Sequence, residues 1–182
     1  LFLLFSISLV GIVLLLYIVF YIPKFEYIKN RLLSFFDKET GTHNFQSDKA
    51  IDSITSGGFF GKGIGEGDLK NRVPEAHTDY IISVISEEFG VIAIILILLL
   101  FLILIYFLFK KVYLESEEKT KLILVGCISL ILMQVMIHIG VNIRLFPTTG
   151  MTLPFISYGG SSIISISILS GIILNLTKRK IN

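Results

Sequence analysis

The sequence predicts an all-α integral membrane protein with four transmembrane helices and one long extracytoplasmic loop. Of its 182 residues, 53% are hydrophobic and 16% are charged, whereas about 25% are charged in a typical soluble domain. Four apolar segments have the roughly 20 residues that a helix needs to cross a bilayer core. A long polar stretch separates the first of these segments from the second.

The charged connections predict how the helices are oriented. The predicted spans are residues 1–22, 89–109, 122–143 and 155–176. The connection 110–121 carries four lysines and the tail 177–182 contains Lys-Arg-Lys, so the positive-inside rule places both in the cytoplasm. The stretch 23–88 and the turn 144–154 are then extracytoplasmic. The eight Lys or Arg of 23–88 accompany eleven acids, and long loops determine topology weakly.

Other features of the composition narrow the function classes. A net charge of +2 is too small to indicate a nucleic-acid partner. Cys127 is the single cysteine, which excludes an intrachain disulfide and predicts a buried helix thiol. The chain opens in an apolar run without an initial Met. That run is too long for a signal peptide, so we expect the chain to be the later half of a longer protein.

The outer loop 23–88 contains two unusual segments. KFEYIKNRLLSFFDKE, residues 24–39, has the apolar and basic pattern of a segment that lies on a membrane surface. Six glycines follow within residues 57–67. GKGIGEG lacks the Gly-Lys-Ser/Thr of a P-loop and the strand and helix of a Rossmann site. It is therefore interpreted as a folded, turn-rich loop, with a backbone nest for a lipid phosphate as the alternative.

PEAHTDY, residues 74–80, lies just before the second apolar segment. His77 and Asp79 are too few ligands to predict a metal site. Thr78 is a candidate helix cap, with Asp79 in the first turn of the helix. Alternatively, Asp79 is a general base, partly shielded from water at the rim of the membrane. Glu87 and Glu88 either lie in interfacial water or pair with a basic residue of another helix.

The third apolar segment carries Gln134, His138 and Asn142 at helical spacing, on one face. They predict interhelical hydrogen bonds, or else the lining of a polar cavity. Arg144 follows, and it either reaches lipid headgroups or binds a diphosphate. In FPTTGMTLPFISYGGSS, residues 146–162, the prolines and glycines predict a structured turn, and the small residues after it predict close helix packing.

Three stretches together resemble one protein family. PEAHTDYIISVISEEFG, PTTGMTLPFISYGGSS and SGGFFGKGIGEG resemble the SEDS (shape, elongation, division, sporulation) family of cell-wall glycosyltransferases, most closely its division branch. The resemblance extends from about Phe25 to Leu176. It implies a ten-helix fold, of which this chain would hold the last four helices. A chain without the first six helices is expected to be inactive by itself.

The resemblance also implies a reaction, a location and partners. The family polymerises lipid II, an undecaprenyl-diphosphate-linked disaccharide-pentapeptide, at the outer face of the bacterial cytoplasmic membrane. It works with a class B penicillin-binding protein, a transpeptidase, and with other divisome proteins at the septum. A lipid II flippase and a non-catalytic scaffold that activates the penicillin-binding protein are the alternative functions.

The family's essential carboxylate is the aspartate of His-Thr-Asp, which is Asp79 here. His138 stands where the family often has Asn, and Arg144 where it often has Gly, so no family role is transferred to either. A divalent cation, Mg²⁺ or Mn²⁺, is a further source of positive charge for the leaving diphosphate, and no organic cofactor is expected. The candidate substrate-binding residues are Lys62, Lys70, Arg72, His77, Thr78, Arg144, Ser157, Gly159, Gly160 and Ser161.

Overall fold

The computed structural model describes two continuous stretches, residues 42–73 and 76–178, and part of the chain before them. In that earlier part it describes residues 10, 11, 13, 14, 17, 18, 20–26, 28–30 and 33. The chain divides into two compact units, Leu1–Phe45 and Gln46–Asn182. Helices and irregular segments account for all of the described residues, which include no β-strand.

The first element with described bounds is a 3-10 turn, Pro23–Phe25. Five α-helices with described bounds follow it: α1 (Thr42–Gly57), α2 (Leu69–Arg72), α3 (Ile81–Leu114), α4 (Glu118–Asn142) and α5 (Gly160–Thr177). α3 packs along α4, and α4 packs against α5. The polar loop predicted over 23–88 therefore contains helices of its own.

Among the described residues, α3, α4 and α5 are long and apolar enough to cross a membrane. They coincide with the second, third and fourth predicted spans. The first predicted span, residues 1–22, lies partly outside the described residues, and its described residues from 10 to 21 are helical. The segment 24–39, predicted to lie on the membrane surface, also falls largely outside them, although residues 26, 28–30 and 33 are helical.

Several helix bounds differ from the predicted spans. α3 ends at Leu114 and not at 109, and α4 begins at Glu118 and not at 122, so most of the predicted connection 110–121 is helical. The starts of α3 and α5 differ as well. α3 begins at Ile81, ahead of the predicted 89, and its helical geometry is interrupted at Gly90, where φ is 81°. α5 begins at Gly160 instead of 155. Phe155 adopts a φ of 65°, and the Ser157 N–H donates to the Leu153 carbonyl at 3.1 Å. Residues 154–157 therefore form a turn, and helix formation starts only after it.

The buried residues form two apolar clusters. One joins the spanning helices through Phe101, Ile131 and Ile166, and includes the free thiol of Cys127, which is buried as predicted. The other brings Leu69 and Tyr80 against Val84 and Val141. Because the second cluster combines residues of α1, α2 and the turn before α3 with the start of α3 and the end of α4, it anchors the residues before α3 to the helix bundle.

The glycine-rich segment forms the predicted turn-rich loop, and it lies directly on α3. The Lys62 N–H donates to the Glu87 carbonyl at 2.8 Å, and the Val91 N–H donates to the Gly58 carbonyl at 2.9 Å. A Cβ on Gly61 would lie 2.2 Å from the Glu88 carbonyl oxygen. Glycine is therefore required here for close approach between two backbones.

Candidate active site

Asp79 lies in the turn before α3, in a stretch whose backbone is held at three successive residues. The His77 carbonyl accepts from the Tyr158 N–H at 3.2 Å. The Thr78 carbonyl accepts from the Ser157 hydroxyl at 2.9 Å. The Asp79 carbonyl accepts from the Asn142 side-chain amide at 3.0 Å. All three donors come from α4 or from the turn before α5, so distant parts of the chain fix the backbone of Asp79.

Asn142 also caps α3 from outside that helix. Tyr80 is the N-cap residue and makes no side-chain capping bond, so the prediction that Thr78 caps the helix is wrong. The Asn142 amide oxygen instead accepts from the Ser83 N–H at 3.2 Å and from the Ser83 hydroxyl at 2.7 Å. The Ser83 N–H is one of the four amides at a helix start that lack an intrahelical partner. Asn142 of α4 therefore caps α3 in place of a residue next to the helix start.

His138 extends this network by one turn of α4. Its Nε2 lies 3.3 Å from the Thr78 carbonyl oxygen, and its Nδ1 lies 3.3 Å from the Asn142 amide nitrogen. Since a carbonyl only accepts, Nε2 carries the hydrogen and Nδ1 offers its lone pair to Asn142. His138 and Asn142 are both fully buried. They fix the backbone of the His-Thr-Asp stretch and do not contact solvent.

The Pro-Thr-Thr-Gly turn lies beside the Asp79 carboxylate. A Cβ added to Gly150 would lie 4.0 Å from Asp79 Oδ2, and Gly150 has a φ of 74°. Gln134 supports this turn by donating to the Thr152 carbonyl at 2.9 Å. The His-Thr-Asp and Pro-Thr-Thr-Gly motifs, which lie far apart in the sequence, thus meet at Asp79. Of the interhelical hydrogen bonds predicted for Gln134, His138 and Asn142, only the one made by Asn142, to Ser83 of α3, joins two helices. Gln134 and His138 bond to carbonyls of the turns beside the helices instead.

Glu87 forms a buried ion pair beneath the glycine-rich loop. Its side chain is 2% exposed. One carboxylate oxygen accepts from the Lys62 ammonium at 2.7 Å, and the other accepts from the Leu69 N–H at 2.9 Å. The prediction that an acid of this pair finds a basic partner is confirmed, with the difference that Lys62 belongs to the loop and not to another helix.

The other described basic candidates also have acidic partners. Arg72 donates to Asp68 at 3.1 Å, and both side chains are more than half exposed. Arg144 is paired with Asp48 of α1. A diphosphate would therefore have to compete with carboxylates for Lys62, Arg72 and Arg144. The side chain of Lys70 lies outside the described residues.

The remaining candidate substrate-binding residues differ in their exposure and in the space around them. His77 and Ser161 are exposed, and Thr78 is half-buried. Ser157 is buried, and its hydroxyl both donates to Thr78 and accepts from the Leu153 N–H at 2.8 Å, which leaves it little capacity to bind a ligand. A Cβ on Gly159 would lie 3.1 Å from the Thr152 methyl carbon, whereas one on Gly160 would meet no described atom within 4 Å.

The described residues do not provide a metal site on their own. Within them, no group of three or more His, Cys, Asp and Glu side chains is arranged to hold an ion. Protein sites for Mg²⁺ or Mn²⁺ use carboxylate and carbonyl oxygens supplemented by water or substrate phosphates. No reaction step is therefore assigned to a metal in this part of the chain.

Sequence analysis alone missed two residues of this site. Ser83 is one of two serines in the stretch 81–86, and only its contact with Asn142 distinguishes it. The sequence predicts Gly150 only as part of a turn, and its proximity to Asp79 depends on how that turn folds. The available signal was that polar side chains in an apolar helix normally face other protein groups.

Arg144 provides a test of the backbone at the end of α4. Its φ of 59° lies in the left-handed region, which costs a non-glycine residue about 1 kcal/mol. Its partly exposed pair with Asp48 is worth about 0–1 kcal/mol. We therefore expect Arg144→Gly to change the free energy of unfolding by less than about 1 kcal/mol, as measured by thermal denaturation in detergent.

Arg144→Ala is the matched comparison for this prediction, because alanine keeps the backbone cost and loses the ion pair. It is expected to melt below both the parent and Arg144→Gly. Equal melting temperatures for the glycine and alanine variants would contradict the backbone argument.

Comparison with known proteins matches this chain to a single protein family. A family model for FtsW, RodA and SpoVE, described as "Cell cycle protein", matches residues 1–182. The "Probable peptidoglycan glycosyltransferase FtsW" of Caulobacter vibrioides is 38% identical over 158 residues, which cover 86% of this chain and 40% of the relative. The protein of the same name from Enterococcus hirae is 36% identical over 175 residues, covering 94% and 44%.

A solved structure agrees with this result. It is described as "Structural coordination of polymerization and crosslinking by a peptidoglycan synthase complex", and one of its chains superposes with a TM-score of 0.69 at 28% identity. The match covers 95% of this chain and 47% of that one. This chain therefore spans less than half the length of the relatives that it matches.

Proposed function

Because this chain belongs to the FtsW/RodA/SpoVE family of cell cycle proteins, we propose that the full-length protein is a glycosyltransferase that polymerises lipid II into glycan strands. It acts at the outer face of the bacterial cytoplasmic membrane during cell division, at the septum. The names of its relatives support this reaction. The observation that carries the proposal is Asp79, half-buried in the turn before α3, in a stretch whose backbone accepts three hydrogen bonds from distant parts of the chain.

In the proposed reaction, Asp79 is the general base. Its carboxylate takes the proton from the 4-hydroxyl of the acceptor N-acetylglucosamine as that oxygen attacks the anomeric carbon of the donor sugar. A new glycosidic bond forms, and the bond from the anomeric carbon to the diphosphate breaks. Undecaprenyl diphosphate leaves with the electron pair. A base on the face opposite the leaving group gives inversion, as in inverting glycosidases.

The surroundings of Asp79 suit this role. A catalytic base has to be held within hydrogen-bonding reach of the proton that it removes, and a misplacement of 1 Å can reduce the rate by about 10²-fold. The bonds to the carbonyls of His77, Thr78 and Asp79 restrict the backbone that presents the carboxylate. Gly150 adds no side chain beside it, which leaves space for a sugar hydroxyl.

The leaving diphosphate needs compensating positive charge. Lys62, Arg72 and Arg144 are engaged with acids. We infer that Arg72 is the easiest of the three to divert, because its pair with Asp68 is the most exposed and exposed pairs are worth only about 0–1 kcal/mol. Lys62 is the hardest, since releasing it would leave the buried Glu87 unpaired.

We further propose that the full-length protein acts with a class B penicillin-binding protein, which crosslinks the glycan strands. The superposed structure, described as a synthase complex that coordinates polymerization and crosslinking, supports this partner.

The experiment that tests the function uses the full-length protein, purified with its penicillin-binding partner and supplied with lipid II. Glycan strands are separated by gel electrophoresis, and lipid II flipping is measured in parallel in liposomes. Polymer formation that depends on the full-length protein is the expected result. Flipping without polymer formation would identify a flippase. Polymer that forms equally well with the penicillin-binding protein alone would identify a scaffold.

Asn142→Ala tests whether the network positions Asp79. The substitution removes the donor to the Asp79 carbonyl and leaves the buried Ser83 N–H without its partner, a cost of about 1–3 kcal/mol. We expect a lower melting temperature, together with a decrease in kcat of about 10-fold or more and little change in KM, because misplacement of a reacting group affects the chemical step.

Ser83→Ala is the control for this prediction. It removes the 2.7 Å hydroxyl bond to Asn142 and keeps both the Ser83 N–H contact and the bond to the Asp79 carbonyl. A smaller loss of kcat than in Asn142→Ala is expected. Equal effects of the two variants on kcat would show that the network stabilises the fold without positioning Asp79.

A further inference from the structure

The glycine-rich loop carries three large apolar side chains that are mostly exposed. Phe59 is 74% exposed, Phe60 84% and Ile64 79%. These three residues are called the loop tip below. Burying a side chain of this size is worth about 1.5–3 kcal/mol, so a surface that exposes three together marks a site of contact.

Backbone contacts fix the position of the loop tip along the axis of α3. The Val91 N–H donates to the Gly58 carbonyl at 2.9 Å, and the Ile92 N–H approaches the Phe59 carbonyl at 3.5 Å. Gly90 has a φ of 81°, and a Cβ there would lie 2.1 Å from the Phe59 carbonyl oxygen. The loop therefore touches the helix at its break and cannot slide along it.

This height corresponds to the outer boundary of the membrane. The uncharged stretch of α3 ends at Lys110. A hydrocarbon core of roughly 30 Å corresponds to about 20 helical residues at 1.5 Å each. Counted outward from Lys110, these residues reach Gly90, so the loop tip lies where the hydrocarbon meets the headgroups.

The apolar surface is also continuous from the loop to the helix. Phe89 is 44% exposed and Ile92 is 48% exposed, and both lie next to the contact with the loop. Lys62 lies within the loop, but its ammonium is matched by the buried Glu87 carboxylate at 2.7 Å. The loop therefore places no unmatched cation of its own between the aromatic side chains and Ile64.

From these observations we propose that the loop tip inserts into the outer leaflet of the lipid bilayer. Phe59, Phe60 and Ile64 occupy the boundary between headgroups and acyl chains and anchor the outer segment at a fixed depth. Because the same segment leads through α2 to the turn before α3, this anchor sets the height of Asp79 above the membrane. The proposal rests on the spanning role of α3 and does not depend on the glycosyl transfer reaction.

The test measures depth directly. In the full-length protein with Cys127→Ser, and with any other reactive cysteine replaced, Phe60→Cys is labelled with an environment-sensitive fluorophore and reconstituted in lipid nanodiscs. Lipids that carry a nitroxide near the top of the acyl chain are expected to reduce its fluorescence about twofold or more, since interfacial side chains lie roughly 5–10 Å deep. A probe at Glu66→Cys, an exposed polar position in the same loop, is the matched control and should be quenched much less.

Two outcomes would overturn the proposal. Equal quenching at positions 60 and 66 would mean that the loop tip lies in water. A blue-shifted emission at position 60 that the nitroxide lipids do not quench would mean that protein covers the loop tip. The readout is independent of catalysis, so a failed polymerisation assay and a failed anchor remain distinguishable.

Discussion

Asp79→Asn in the full-length protein is expected to reduce lipid II polymerisation by about 10²–10⁴-fold, the usual contribution of a general base. Asparagine preserves the size of the side chain and the backbone bonds at His77, Thr78 and Asp79, but its amide cannot accept the proton of the acceptor hydroxyl. The loss should therefore appear in kcat, with the melting temperature almost unchanged. The measurement is the initial rate of glycan formation with the penicillin-binding partner present.

Glu66→Gln is the matched control for Asp79→Asn, since it also neutralises one carboxylate in the region before α3, at an exposed position. It should retain the parental rate. Glycan synthesis at full rate in Asp79→Asn would exclude the role of Asp79 as the base. Retained lipid flipping in that variant would then favour the transporter function.

Gly90→Ala is expected to have the largest effect on stability. A Cβ at position 90 would lie 2.1 Å from the Phe59 carbonyl oxygen and 2.6 Å from the Gly61 nitrogen. The φ of 81° and ψ of 177° belong to a region that is almost restricted to glycine, and a side chain there costs about 1–3 kcal/mol. Steric overlap adds about 1–3 kcal/mol. The variant should fail to fold or should melt far below the parent.

Gly126→Ala provides the comparison, because Gly126 is a helical glycine of α4 with no described atom within 4 Å of an added Cβ. Its free energy of unfolding should change by no more than about 1 kcal/mol, in the stabilising direction. Both variants are compared by thermal denaturation in detergent. Similar melting temperatures for Gly90→Ala and Gly126→Ala would show that the loop does not pack against the break in α3.

Much of the fold could be predicted because a membrane imposes a simple rule. Uncharged runs of about 20 residues become helices, since hydrocarbon cannot satisfy exposed backbone groups, and α3, α4 and α5 follow this rule. Their bounds were less predictable, because hydropathy does not identify the turn after Pro154 or the helical residues 81–88. The latter are helical because the second apolar cluster and the glycine-rich loop bury them.

The central residue of the candidate site could be predicted from the sequence, but the hydrogen bonds and ion pairs around it could not. Asp79 was identified from its motif and from its position before an apolar helix. The local sequence offered Thr78 as a candidate helix cap, and this alternative is wrong because the buried side-chain amide of Asn142 in α4 caps α3 instead. Likewise, the sequence predicts that Lys62 binds a phosphate, whereas in the structure its ammonium forms an ion pair with the buried carboxylate of Glu87.

The sequence by itself therefore determined the membrane character of the chain, its family and the carboxylate at the centre of the proposed reaction. These properties depend on composition and on contiguous motifs, which can be read without knowing which residues meet. Only the tertiary structure decided what holds Asp79 in place. The decisive hydrogen bonds join residues 59 positions apart, for Ser83 with Asn142, and 79 positions apart, for Thr78 with Ser157. Such partners are selected by the packing of helices and turns, because a buried polar group must find an acceptor or donor wherever the fold provides one.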